Sequence, residues 1–153
     1  MVIQIIENSL KIQALNNPIF LNYRLTLGSV SRKQLILEIK NKAKIQCDLK
    51  RHLSPRTVGS IMRSLPLEGN VHFLGTNVVY FETPVDSGIE RSKNEFKKWD
   101  VAFLPGSGSI CFFLNDVTST KSMTPLGKLS GEVDNLCSVK SGDILRLYED
   151  TAL

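Results

Sequence analysis

Residues 99–116 read WDVAFLPGSGSICFFLND, two apolar runs rich in large side chains around Pro105-Gly106-Ser107-Gly108-Ser109. If those glycines cradle a phosphate, the chain is a nucleotide-binding α/β protein; if they only turn the backbone, it is a β protein. A phosphate loop needs GxxxxGK[ST], with its lysine on the phosphates and its hydroxyl on magnesium. No lysine follows Gly108, and the segment runs into the strand-like ICFFL, so no helix N-terminus is offered to an anion. A dinucleotide fingerprint fails for the same reason. The stretch therefore reads as strand, tight turn, strand.

Working outward, further strands appear on both sides. LILEI (35–39) and IQCDL (45–49) flank the polar turn NKAK and predict an antiparallel hairpin. VHFL (71–74) and VVYFET (78–83) flank Gly75-Thr76-Asn77 and predict a second, which Pro84 ends because it cannot donate to a ladder. LGKL (126–129) and ILRLYE (144–149) read as later strands. The period changes once, in SPRTVGSIMRSLP. There Ser54 is the expected N-cap and Pro55 the first helical residue, and Val58, Ile61, Met62 and Leu65 share one helix face. The polar segments DSGIERSKNEFKK (86–98) and DVTSTKSMTP (116–125) read as surface loops. Roughly six to eight short strands with one main helix predict a closed or nearly closed β-barrel, closure removing exposed edges. This barrel domain spans 35–153. Residues 1–34 form an N-terminal extension with strand candidates VIQII and FLNYRLTL, a docking arm or a route to homo-oligomers.

Composition narrows the function classes. The 153 residues are 42% hydrophobic and 22% charged, ordinary for one globular domain with its own core. The net charge is only +4, and Lys40, Lys42, Lys44, Lys50 and Arg51 fit solvated positions between buried strand residues, which argues against a nucleic-acid partner. Cys47, Cys111 and Cys137 form no CxxC pair and sit in apolar contexts, so a reducing, cytoplasmic compartment is expected. The N-terminus lacks the pattern of a signal peptide, and no run of ~18 apolar residues could span a membrane. His52 and His72 have no second ligand at metal spacing, so neither metal nor other cofactor is expected. No GxSxG elbow occurs, and the carboxylates Glu82 and Asp86 around Pro84 make no catalytic constellation.

The aromatic residues carry more. Tyr80, Phe81, Trp99, Phe103, Phe112 and Phe113 cluster in the central strands. Alternation puts Tyr80 and Glu82 on one face and Val79 and Phe81 on the other. One set fills the barrel; the other lines an outer apolar groove suited to an extended peptide or a small ligand.

SICFFLND, PLGKLSGEVDNL and VKSGDILRL resemble the C-terminal half of cyclophilins. A closer resemblance is to the small cyclophilin-like family of bacterial and archaeal proteins of uncharacterised function. That family shows a YF-x-TP strand end, a GDVGYWPPG-type segment, an LC-x-FFG strand and a GKI-x-EGLEDL segment. This chain has YFETP (80–84), WDVAFLPG (99–106), ICFFLN (110–115) and GKLSGEVDNL (127–136) in that order. The resemblance covers residues 35–153 and implies a mainly β fold, a cyclophilin-like closed barrel of about eight strands with one main helix. Prolyl isomerisation in cyclophilins uses an arginine, a Phe-Met-x-Gln segment and a histidine before the FGKV strand. VVYFETP has neither Arg nor Gln, and Met123-Thr124-Pro125 stand where the histidine is expected. Leu104 replaces a family Trp, and Asn115 replaces the last Gly of LC-x-FFG. The expected function is thus a peptide- or small-ligand-binding module with no assigned catalytic residue. Its groove is expected beside the 116–125 loop, with Tyr80, Glu82, Phe103, Phe113, Met123 and Thr124 as its residues. A divergent peptidyl-prolyl isomerase is the alternative.

Overall fold

In the computed structural model, which describes residues 32–150, the chain is mainly β. The extension assigned to 1–34, and the self-association expected through it, lie outside these residues apart from its last few positions, which open the first strand. β1 (Arg32–Ile39) and β2 (Ala43–Lys50) are followed by helix α1 (Pro55–Ser64). Next come β3 (Leu67–Asn70), β4 (His72–Leu74), β5 (Val78–Glu82) and β6 (Lys93–Phe96). β7 (Asp100–Leu104), β8 (Ser109–Phe113) and β9 (Val117–Ser130) precede a 3-10 turn (Val133–Ser138) and β10 (Ile144–Glu149). The strands pair as one antiparallel sheet in the order β3-β10-β1-β2-β9-β7-β8-β5-β4, with β6 added to β9.

The ladder does not close into the expected barrel. β3 and β4 are its two ends, although only Val71 separates them in the chain. β4 pairs with β5 over Val78–Tyr80, so β3 can approach β5 only farther along. There Gly69 packs so tightly that a Cβ would lie 3.1 Å from the Glu82 carbonyl oxygen and 3.2 Å from the Phe81 ring. The seam is van der Waals packing, and hydrogen bonds leave the sheet open.

Both segments read as loops hold strands. Within 86–98, β6 buries Phe96; within 116–125, β9 is already extended from Val117. Their polar composition misleads because each strand covers the sheet with few apolar side chains and shows the rest to water. β9 serves two roles along its length. Its second half pairs with β2 and β7 in the main sheet, and its first half pairs with β6 as an outer arm. A bulge interrupts the second half: Val101 pairs with Gly127 and Ala102 with Pro125, leaving Leu126 unpaired and buried in the core; the change to β6 follows between Thr124 and Met123. A bulge is one of the few places where a strand tolerates proline.

Two apolar clusters result. The main one lies inside the curl and contains Leu37, Leu49, Ile61, Phe81, Phe103 and Phe112. The second lies on the outer face of β5, β8 and β7 beneath the arm, and contains Val78, Phe96, Ala102, Cys111, Phe113 and Met123. β8 is therefore buried on both faces, which accounts for its unbroken apolar text ICFF.

The turn in the opening stretch is geometry. Gly106 and Gly108 have φ of 97° and 68°, and a Cβ on Gly108 would collide with the Thr83 carbonyl. Its own carbonyl accepts the Thr83 N–H at 2.9 Å and the Thr83 hydroxyl at 2.7 Å, fastening the turn to the end of β5.

Helix α1 is capped from a distance. Ser54 occupies the N-cap position but makes no capping bond; its buried hydroxyl donates to the Pro125 carbonyl at 2.7 Å. Glu90 supplies the cap, accepting the backbone N–H groups of Thr57 (3.0 Å) and Arg56 (3.2 Å) and the Thr57 hydroxyl (3.0 Å). Partial burial acts to raise the Glu90 pKa. The Thr57 and Arg56 hydrogen bonds and the Arg56 charge outweigh it and hold the carboxyl below its usual range. A lowered folded value means the contribution is complete above the ordinary glutamate pKa of ~4.3 and is lost as pH falls through the folded value. Glu90→Gln is expected to cost about 1 kcal/mol at neutral pH, the size of a lost N-cap, with the deficit narrowing in acid. Urea unfolding of both proteins at pH 7 and pH 3 checks this; an equal deficit at both would refute it.

Candidate functional site

On the outer face, the strand register sets a small grid. Val78, Tyr80 and Glu82 point outward from β5, opposite Phe113, Cys111 and Ser109 of β8. Leu104 of β7 lies beside Ser109, and Leu74 of β4 beside Val78. The arm covers only part of this grid. What it leaves uncovered is a trough made of two hollows of about 250 and 260 Å³, which share Leu74, Ser119 and Thr120 as a common rim. One hollow is floored by Tyr80, Leu104 and Cys111 and edged by Glu82, Ser107, Ser109 and Lys121. The other, apolar only in that no charged side chain lines it, has Val78, Phe113, Val117 and Met123 along its walls beside Thr76, Asn77 and Thr118.

The rim owes its position to a second irregularity in β9. Lys93 pairs with Met123 and Glu95 with Thr118, so Asn94 alone faces Ser119–Ser122. Its side-chain amide donates to the Ser119 carbonyl at 3.0 Å, and its amide oxygen accepts the Ser122 hydroxyl at 3.1 Å. Re-aiming side chains in this way is a common use of bulges. Here the bulged segment leans over the sheet and brings Lys121 to the polar end of the trough.

Of the residues expected in the groove, Tyr80 and Glu82 line the polar hollow, and Phe113 and Met123 line the apolar one. Phe113 is fully buried and stacks on Phe96 with ring centroids 4.5 Å apart, so it offers the trough a wall and little free surface. Phe103 points to the opposite face and fills the main core. Thr124 is buried, its hydroxyl accepting the Glu90 N–H at 2.9 Å, and it lines neither hollow. Sequence reading missed Leu74, Ser107 and Ser109, and it covered Ser119, Thr120 and Lys121 only as part of the 116–125 loop. The signal was there for Leu104, which occupies the position of a family Trp.

Burial pushes the Cys111 thiol up to about 12, so it stays protonated and is a poor nucleophile at neutral pH. The Ser107 and Ser109 hydroxyls bond to each other at 2.8 Å, with no imidazole among the side chains that line the hollow. Among the described residues, no three His, Cys, Asp or Glu side chains form a group able to hold a metal. Nor is any helix among them long and apolar enough to cross a membrane.

Such a frame, an antiparallel sheet curled around one core with a covered outer face, defines a class before it defines a relative. The family model for cyclophilin-like proteins matches residues 33–148, and the chain belongs to that family. Its fold is similar to the solution structure of the hypothetical protein AF2241 from Archaeoglobus fulgidus. The TM-score is 0.66 at 21% identity, over 78% of this chain and 96% of that one. It is also similar to the structure of McbB in complex with tryptophan, with a TM-score of 0.64 and 15% identity. That match covers 78% of this chain and 46% of McbB. At these identities the likeness is one of fold. No curated protein matches the sequence.

Proposed function

We propose that the chain is a binding module whose outer trough takes a small ligand or a short extended segment with apolar groups. The observation that carries this reading is the partial cover. An apolar sheet face shielded by its own arm is left open over one strand length, beside Glu82 and Lys121, which form no ion pair among the described residues. From Val78 to Glu82 the trough runs ~13 Å at a strand's rise of ~3.3 Å, room for about four extended residues. Each hollow falls just below the ~300–1,000 Å³ of pockets for drug-sized ligands, which favours a small occupant. That McbB was solved with tryptophan lends support to a small-ligand reading.

The test is an NMR titration of the full chain with uncharged probes, N-acetyl-L-leucine methyl ester and an acetylated, amidated tetrapeptide of Leu, Phe and Ala. Shifts centred on Tyr80, Cys111 and Lys121 are expected, and Leu104→Glu should abolish them. Shifts scattered over the surface, or none, would count against the trough.

Prolyl isomerisation receives no support from the side chains at hand, since neither hollow is lined by arginine, glutamine or histidine. Uncatalysed X-Pro exchange takes tens to hundreds of seconds, so catalysis would be plain to see. A proline-peptide assay is expected to show the buffer rate; acceleration that Leu104→Glu removes would reinstate an isomerase.

A further inference from the structure

The polar hollow has one carboxylate and one ammonium on its edge, Glu82 from the end of β5 and Lys121 from the bulged segment of β9. No ion pair joins either to a charged group among the described residues. The same hollow is lined by Tyr80, Leu104 and Cys111, with the Ser107 and Ser109 hydroxyls beside them. Resting on the reading of the trough as a binding site, we propose that this hollow takes a small zwitterion with an apolar body. Its ammonium would meet Glu82 and its carboxylate Lys121, and the body would lie on the floor. A free apolar amino acid and a dipeptide both have this chemistry. A singly charged ligand would leave one edge group unmatched, and a capped peptide would leave both. The arrangement thus selects by charge as well as by fit.

Because both edge groups are exposed, each contact adds modestly, and the preference is expected to be clear rather than large. The experiment is an NMR titration of the full chain with L-leucine, L-leucyl-L-alanine, N-acetyl-L-leucine, L-leucinamide and N-acetyl-L-leucine methyl ester. L-leucine or the dipeptide should bind with shifts at Tyr80, Glu82 and Lys121, the stronger of the two identifying the source. Capping either charge should weaken binding about two- to fivefold. Glu82→Gln should erase the preference for a free amine but keep that for a free carboxylate, and Lys121→Gln should do the reverse. A structural role for either residue would not produce that crossover. If capped and uncapped forms bind the trough equally, the zwitterion proposal fails and the apolar trough stands. If none of the five shifts the trough, both fail.

Discussion

Gly127→Ala is expected to cost about 4 kcal/mol or more and to leave little folded protein, although it adds a single methyl group. Gly127 lies in the middle of β9, between Leu49 of β2 and Val101 of β7. A Cβ there would overlap the Asp48 carbonyl oxygen and lie 2.9 Å from its carbon and 3.0 Å from the Leu49 Cα. Every atom in the way is backbone held in a ladder on a central strand, so no rotamer change can make room. The bulge at Leu126 sits next to this point, a few residues before β9 passes from β7 to β6 and becomes the arm. Gly127 is therefore where the architecture of the trough depends on the absence of a side chain. Gly88→Ala is the control: nothing lies within 4 Å of a Cβ there, and a change within ~0.5 kcal/mol is expected. Chemical denaturation midpoints compare the two. A Gly127→Ala protein unfolding where the parent does would show that β2 and β9 can part freely.

The same bend marks the limit of what the sequence discloses. Hairpins with glycine or asparagine turns, the helix in SPRTVGSIMRSLP and the two-faced alternation of VVYFE could all be read, because each has its own local signature. Alternation correctly set Val79 and Phe81 inside and Tyr80 and Glu82 outside. It could not do so for β7 and β8, where runs of consecutive residues are buried and periodicity vanishes, so Phe103 and Phe113 looked equivalent. The structure sends them to opposite faces. The arm was illegible for a different reason. VTSTKS has the composition of a loop, and only its pairing with β6 and the Asn94 side chain makes it a strand with a purposeful bulge. Most of the trough rim comes from this segment, and so the candidate site was partly legible: the outward positions on β5 could be read, and the strand form of the segment that covers them could not.

The division into a core and an outer layer makes Phe113→Ala the second large effect, and one with a location. Truncating a fully buried phenylalanine costs ~3–5 kcal/mol, and Phe103→Ala should cost about as much. The two losses should fall in different places. Phe103 belongs to the main cluster with Phe81 and Phe112, which every long strand of the sheet helps to enclose. Phe113 belongs to the small cluster beneath the arm, where its ring stacks on Phe96 of β6 and touches little that the main core holds. Removing it should release β6 and the first half of β9 as a unit while the curled sheet persists. Hydrogen exchange is the measurement that distinguishes the cases. In Phe113→Ala the amides of Phe96 and Thr118 should exchange by local opening, well before those of Leu37 and Leu147. In Phe103→Ala all four should lose protection together. A cycle with Phe96→Ala adds a second check, since Phe96 should couple to Phe113 by ~0.5–1.5 kcal/mol and be near additive with Phe103. Uniform exchange in both variants would mean that arm and sheet unfold as one. The trough could then not open around a ligand by moving its lid alone, and any ligand it takes would have to enter a preformed site.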